Sequence, residues 1–279
     1  MVGVVGCGLM GAGIAEVCAR AGLDVVVAES GSGAVDAGRR RLEASLDRAE
    51  RNRKIPSAAN VLERIRVVDG LAELADRTLV IEAILESEVA KTQVFAQLDK
   101  IVEAPGAILA SNTSSIPIMK LGTVTNRPAQ VLGIHFFNPV PVLPLVELVP
   151  SLLTGEETTR AAQAFVRDVL KKHPILAKDR AGFVVNGLLI PFILAAIRML
   201  ESGFATRDDI DEALVRGAAH PQGPLALADL IGLDTTKAVA ESLYEEFKEP
   251  LYAPPPLLAR MVEAGLLGRK NGRGFHTYE

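Results

Sequence analysis

Tryptophan is absent from this chain, aromatic residues make up 4% of it, and cysteine occurs only at Cys7 and Cys18. A core without indole rings has to be built from aliphatic side chains. Two lone cysteines offer neither a disulfide framework nor a zinc site, and they fit a reducing cytoplasm. Charge of one sign is lacking too: the formal net charge is -4, with no basic, aromatic-interleaved stripe of the kind nucleic-acid binding requires. The most apolar run, Phe183 to Leu200, is broken by Asn186, Pro191 and Arg198, so it reads as a buried helix and no membrane partner is expected. The four histidines (His135, His173, His220 and His276) are scattered without carboxylate clusters, so no metal is expected. The first strand is expected to begin at Val2, and no signal peptide is expected before it.

What is present starts with glycine. A short apolar strand, Val2 to Val5, runs into Gly6-Cys7-Gly8-Leu9-Met10-Gly11, then a helix to about Ala21, then a second strand, Val25 to Ala28, closed by Glu29. A strand, glycine loop, helix, strand and acid in that order is the context a dinucleotide-binding turn needs. Gly6 permits the tight turn, Gly8 lets the backbone approach a pyrophosphate, and Gly11 lets helix and strand pack closely. Leu9 and Met10 open the helix whose N-terminus faces the phosphates. Glu29 is placed to accept hydrogen bonds from the adenosine ribose and would repel a 2′-phosphate, which favours NAD over NADP.

Further strands around residues 65–68, 78–81 and 107–110 alternate with helices, which predicts an α/β fold with a Rossmann-type, doubly wound, mostly parallel sheet and ligands at the carboxyl ends of its strands. Polar residues fall at those ends: Glu82, then Ser111-Asn112-Thr113-Ser114-Ser115, then His135. Glu82 and Asn112 are accordingly assigned to the cofactor. Ser and Asn clusters also serve as plain turn and capping residues; their convergence with His135 at one edge favours a site. His135 ends an apolar run and precedes a proline-braked turn. An unperturbed imidazole, with a pKa of about 6.5, transfers protons near neutral pH. Glu147 interrupts the next apolar run, where a carboxylate needs a partner, and a ring N–H is a natural one. Taken singly, each residue reads as an ordinary hydrogen-bonded core group.

Residues 39–54 carry seven cations (Arg39, Arg40, Arg41, Arg48, Arg51, Arg53 and Lys54) against Glu43, Asp47 and Glu50. Such a run is commonly a solvated helix face, but beside a nucleotide fold a second phosphate-bearing ligand is worth considering. A helix is expected from Thr154 to Lys172 and an extended segment from Pro174 to Ala177. From Gly182 onward the periodicity is helical, giving an NAD-binding domain over 1–181 and an all-helical C-terminal domain over 182–279.

Five stretches together resemble the NAD-dependent L-3-hydroxyacyl-CoA dehydrogenases, and more narrowly their bacterial 3-hydroxybutyryl-CoA members: the glycine loop, Ser111 to Ser115, His135 to Pro141, Gly182 to Asn186, and Gly232 to Thr236. The resemblance covers essentially the whole chain. It implies His135 as the catalytic histidine, Glu147 as its orienting glutamate, Ser114 and Asn186 as substrate contacts, and Lys54 near the phosphates of an acyl-CoA substrate. It also implies a homodimer formed through the second domain, and a role in fatty-acid metabolism. Glu29 stands where the family usually has Asp. Rival readings are the same oxidation on a carrier-protein thioester, a lysine-based short-chain dehydrogenase, and a non-catalytic dinucleotide binder; the last would need only the glycine loop.

Overall fold

The computed structural model describes residues 1–278. The chain divides into two units, Met1–Asp179 and a second that begins at Arg180. The first opens as the pattern of short apolar runs dictates: β1 (Val2–Val5), α1 (Leu9–Arg20), β2 (Val25–Glu29), the long α2 (Ser32–Arg51), α3 (Ala58–Leu62) and β3 (Ile65–Asp69). β4 (Leu79–Glu82), α4 (Glu88–Ile101), β5 (Ile108–Ser111), α5 (Ile118–Thr123) and β6 (Val131–Phe136) complete the parallel part. β7 (Leu145–Pro150), α6 (Glu156–Ala164) and β8 (His173–Leu176) follow.

The strands form one eight-stranded sheet in the order β3-β2-β1-β4-β5-β6-β7-β8. All neighbours are parallel except β6 and β7. β1 and β4 are fully buried, as strands covered by helices on both faces must be. Between them the winding reverses, which opens a crevice beyond their carboxyl ends. The core is aliphatic, with Val4, Ile14, Val25, Val27, Leu46, Ile81 and Ile134 all fully enclosed.

The helix expected to reach Lys172 departs from the ideal. After α6 the chain widens into a π-type turn over Phe165–Val169, Leu170 N–H donates to Phe165 O at 3.0 Å, and Lys171 turns left-handed with φ 54°.

The second unit is helical: α7 (Val185–Glu201), α8 (Arg207–Glu212), α9 (Pro224–Ile231), α10 (Leu233–Phe247) and α11 (Pro256–Glu263). Its core gathers Ile190, Ile193, Leu194, Ile197, Leu225, Leu233, Leu243 and Leu258. It does not end in helix: Gly268, Arg273 and Thr277 make two isolated antiparallel bridges. Asp229, buried within the unit, holds that segment through the N–H groups of Phe275 and His276 at 2.9 and 2.8 Å and the hydroxyl of Tyr278 at 2.9 Å. Among the described residues, no helix is long and apolar enough to cross a membrane.

Candidate active site

The glycine loop is shaped by close approach. A Cβ on Gly11 would lie 1.9 Å from the carbonyl oxygen of Gly6, and Gly6 itself takes φ +89°, so a side chain at Gly11 would push α1 off the strand end. Around Gly8 there is open space, with nothing within 4 Å of where a Cβ would stand. Leu9 is exposed and Met10 half-buried at the start of α1, whose first N–H groups lack helical acceptors. A phosphate suits both the space and the donors.

A cavity of about 560 Å³ lies at this point, lined by Gly6, Gly8, Glu29, Leu71, Ile84, Leu85, Val94 and Gln97 among others. It opens where the winding of the sheet reverses. Glu29 faces it from the end of β2, its carboxylate accepting the N–H of Cys7 at 2.5 Å and of Ser30 at 3.3 Å. α2 packs against the same loop: a Cβ on Gly38 would come within 2.7 Å of Cys7 Cβ, and Arg41 donates to the carbonyl of Cys7. Burial first, then the charge of Glu29 against that of Arg41, pushes the Cys7 thiol up to about 12, and burial raises Cys18 to about 12. Burial thus disfavours the thiolate form at both positions.

Glu82 is fully buried at the end of β4, one oxygen accepting from Lys91 Nζ at 2.6 Å and Ile84 N–H at 2.7 Å, the other from Ser111 Oγ at 2.6 Å. With both oxygens engaged inside the protein, it braces the strand ends at the crevice. Lys91, only 1% exposed on α4, is its counter-ion, and its Nζ also lies 3.4 Å from Glu86.

Glu86 was not singled out by the sequence. Its carboxylate gathers the loop after β5 through the N–H groups of Ser114 and Ser115 at 3.1 and 3.2 Å, Thr113 Oγ1 at 2.5 Å and Ser115 Oγ at 2.9 Å. Burial raises its pKa, but the Lys91 ammonium and these donors together outweigh burial and hold it below the ordinary glutamate value. The position of Ser114 is thus fixed through its backbone. Asn112, at the same strand end, accepts the N–H of Phe136 at 2.8 Å through its side-chain oxygen, which ties β5 to the residue after His135.

His135 and Glu147 are register partners across the antiparallel β6–β7 pair. Their side chains fall on one face, and His135 Nδ1 lies 2.7 Å from a Glu147 oxygen. His135 is 6% exposed and Glu147 is not exposed at all. A buried carboxylate on Nδ1 makes that nitrogen the protonated one and directs Nε2 to proton exchange. Phe137 stands edge-on to the imidazole, ring centroids 4.6 Å apart.

The basic run does not act as one surface. Arg39 donates to Val67 O at 3.1 Å and Arg41 to the glycine loop, both as internal braces. Arg48 and Lys54 instead line a separate cavity of about 430 Å³, with Arg20, Ser45, Asn52, Pro139 and Pro141. The two prolines belong to the turn that follows His135. Asn186 lies on the first turn of α7, in the second unit.

Comparison with known proteins gives one family over both units. Residues 1–180 match the domain described as the NAD binding domain of 3-hydroxyacyl-CoA dehydrogenase, and residues 182–278 match its C-terminal domain. The chain is 55% identical to a 3-hydroxybutyryl-CoA dehydrogenase of Mycobacterium tuberculosis, over 99% of this chain and 98% of that one. It is 38% identical to the mitochondrial hydroxyacyl-coenzyme A dehydrogenase of Homo sapiens, over 100% of this chain and 91% of that one. The crystal structure of (S)-3-hydroxybutyryl-CoA dehydrogenase from Ralstonia eutropha superposes with a TM-score of 0.93 at 46% identity, covering 100% of this chain and 98% of that one.

Proposed function

The chain belongs to the 3-hydroxyacyl-CoA dehydrogenase family, and on that premise we propose that it interconverts (3S)-3-hydroxyacyl-CoA and 3-ketoacyl-CoA with NAD(H), with a short acyl chain such as 3-hydroxybutyryl. It is an NAD-dependent oxidoreductase. The observation that carries the mechanism is the buried His135–Glu147 pair, 2.7 Å apart at the same sheet edge as the glycine-loop crevice.

In the oxidation direction, His135 Nε2 takes the hydroxyl proton at C3 of the substrate. Bound NAD supplies the acceptor for the hydride that leaves the same carbon. Glu147 holds the ring in one tautomer and steadies the imidazolium that forms. Ser114 donates a hydrogen bond to a substrate oxygen and offsets the charge that develops on the C3 oxygen; Asn186 is assigned to the substrate on the family resemblance alone. In the reverse direction the imidazolium returns the proton. Gly6, Gly8, Leu9, Met10 and Gly11 hold the pyrophosphate, Glu29 the adenosine ribose, and Asn112 the nicotinamide end; Lys54 binds a phosphate of CoA. The protein acts as a homodimer in the cytoplasm, within fatty-acid metabolism. The two free, buried cysteines fit a reducing compartment, and the exposed Leu188 and Phe204 of the second unit support pairing there.

The test is turnover of acetoacetyl-CoA against acetoacetyl carried on an acyl-carrier protein, each with NADH. Higher kcat/KM on the CoA thioester is expected. Preference for the carrier-protein thioester would move the enzyme to a biosynthetic substrate.

A further inference from the structure

The cavity beside Lys54 does not end there. Arg20, Pro141 and Val142 form a wall shared with a second cavity of about 360 Å³, which is also lined by Val17, Lys171 and Lys172. Arg48 and Lys54 stand on one side of the wall, Lys171 and Lys172 on the other, with Arg20 between them. The one acid lining either cavity, Glu16, is already engaged: it accepts from Ser45 Oγ at 2.6 Å and Arg20 at 3.2 Å. The groove is therefore cationic on both sides of the wall.

Two of its features are not what the backbone alone would select. α2 and the helix that begins with α6 both end in a left-handed residue, where glycine is the ordinary choice because it carries no Cβ. This chain places Arg53 there with φ 55° and Lys171 there with φ 54°. Arg53 sits between the two lining residues Asn52 and Lys54, and Lys171 lines the second cavity itself. Attraction to the helix dipole accounts for a cation near a helix end, and Lys248 closes α10 in the same way in the second unit. It does not explain why two such ends converge on one groove. Lys172 adds to the point. Its ammonium donates to the carbonyls of Val140 at 2.7 Å and Leu143 at 2.6 Å, which pins it to the turn that carries the Pro141–Val142 wall. Burial, then the nearby charge of Arg20, lowers its pKa, an unfavourable placement that an anion between the two cations would relieve.

We propose that the Arg20–Lys171–Lys172 cavity is a second phosphate subsite of the substrate groove, so that acyl-CoA is held by phosphate esters on both sides of the Pro141–Val142 wall and not only at Lys54. The proposal rests on the reading of the substrate as an acyl-CoA. The ligand chemistry is a phosphate ester, and CoA offers two, the 3′-phosphate and the 5′-diphosphate.

Lys171→Gly tests it cleanly, because glycine suits φ 54° and the fold is kept. With acetoacetyl-CoA and NADH the variant should show KM raised about three- to ten-fold at nearly constant kcat, the size of one partly exposed charge pair and the signature of a contact that binds ground and transition states alike. Lys171→Arg should restore the wild-type KM. Acetoacetyl-pantetheine, which has neither ester, should give the same KM with wild type and variant. Acetoacetyl-3′-dephospho-CoA distinguishes the two esters: insensitivity to the substitution assigns Lys171 to the 3′-phosphate, retained sensitivity to the diphosphate. An unchanged KM for acetoacetyl-CoA in Lys171→Gly, or an equal rise on pantetheine, would overturn the subsite. Failure of the wild type to turn over any acetoacetyl thioester would instead overturn the underlying activity.

Discussion

Glu29 shows how one side chain serves two neighbours. Its carboxylate accepts the N–H of Cys7, inside the glycine loop, while facing the cavity where a ribose would bind. A 2′-phosphate placed beside it meets a like charge. Glu29→Ala should therefore lower the NADH-to-NADPH ratio of kcat/KM by about ten-fold or more, about 1.4 kcal/mol per decade; an unchanged ratio would remove Glu29 from cofactor selection. Residue types were the most legible part of the sequence. Gly6, Gly11, Glu29, His135 and Glu147 announce their chemistry through local context, since a glycine loop between strands and a lone acid in an apolar run are short-range signals. Glu82 was legible as a strand-end carboxylate, but its partners Lys91 and Ser111 were not, because they come from α4 and the next strand. Glu86 gave no signal, because its meaning depends on a loop 27 residues onward folding over it.

Elements are held by joints that single residues close. Asp99, near the end of α4, accepts from the backbone and side chain of Asn126 at 2.9 and 2.8 Å and from Arg127 at 3.0 Å. Arg127 in turn donates to the carbonyls of Asp99, Val102 and Ala104 at the frayed end of that helix. Burial raises the Asp99 pKa, but these donors outweigh it and hold the carboxyl below its ordinary value of 3.8. A depressed folded-state pKa contributes stability that is present above the unfolded value and lost as pH falls through the folded one. Acid unfolding below about pH 4 should thus draw on Asp99. Asp99→Asn should cost about 1–3 kcal/mol at neutral pH and flatten the acid limb of a Tm-against-pH curve; an unchanged limb would exclude this joint from acid sensitivity. The alternation of strands and helices was readable from periodicity, as was the strand pair carrying His135 and Glu147. Their direct register was not, because it comes from an antiparallel pairing that no local pattern specifies. The early end of α6 was hidden as well: composition does not betray the π-type turn over Phe165–Val169 that follows it.

At the scale of the whole molecule, the apolar content of α7 divides between two duties. Ile193 is fully buried in the core of its own unit, whereas Leu188 is 74% exposed. A charge at Ile193 would therefore test folding, and Leu189 is only half-exposed. Leu188→Glu should give a folded monomer by light scattering and circular dichroism, while Ile193→Glu should fail to fold; a Leu188→Glu protein that remains dimeric would put the interface elsewhere. The central claim concerns His135, and one experiment reaches it most directly. His135→Gln, assayed for reduction of acetoacetyl-CoA by NADH with NADH binding followed by fluorescence, should lose about two to four decades in kcat while its Kd for NADH stays at the wild-type value. A variant that binds NADH normally and turns over within a few-fold of wild type would contradict the assignment of His135 as the group that moves the proton.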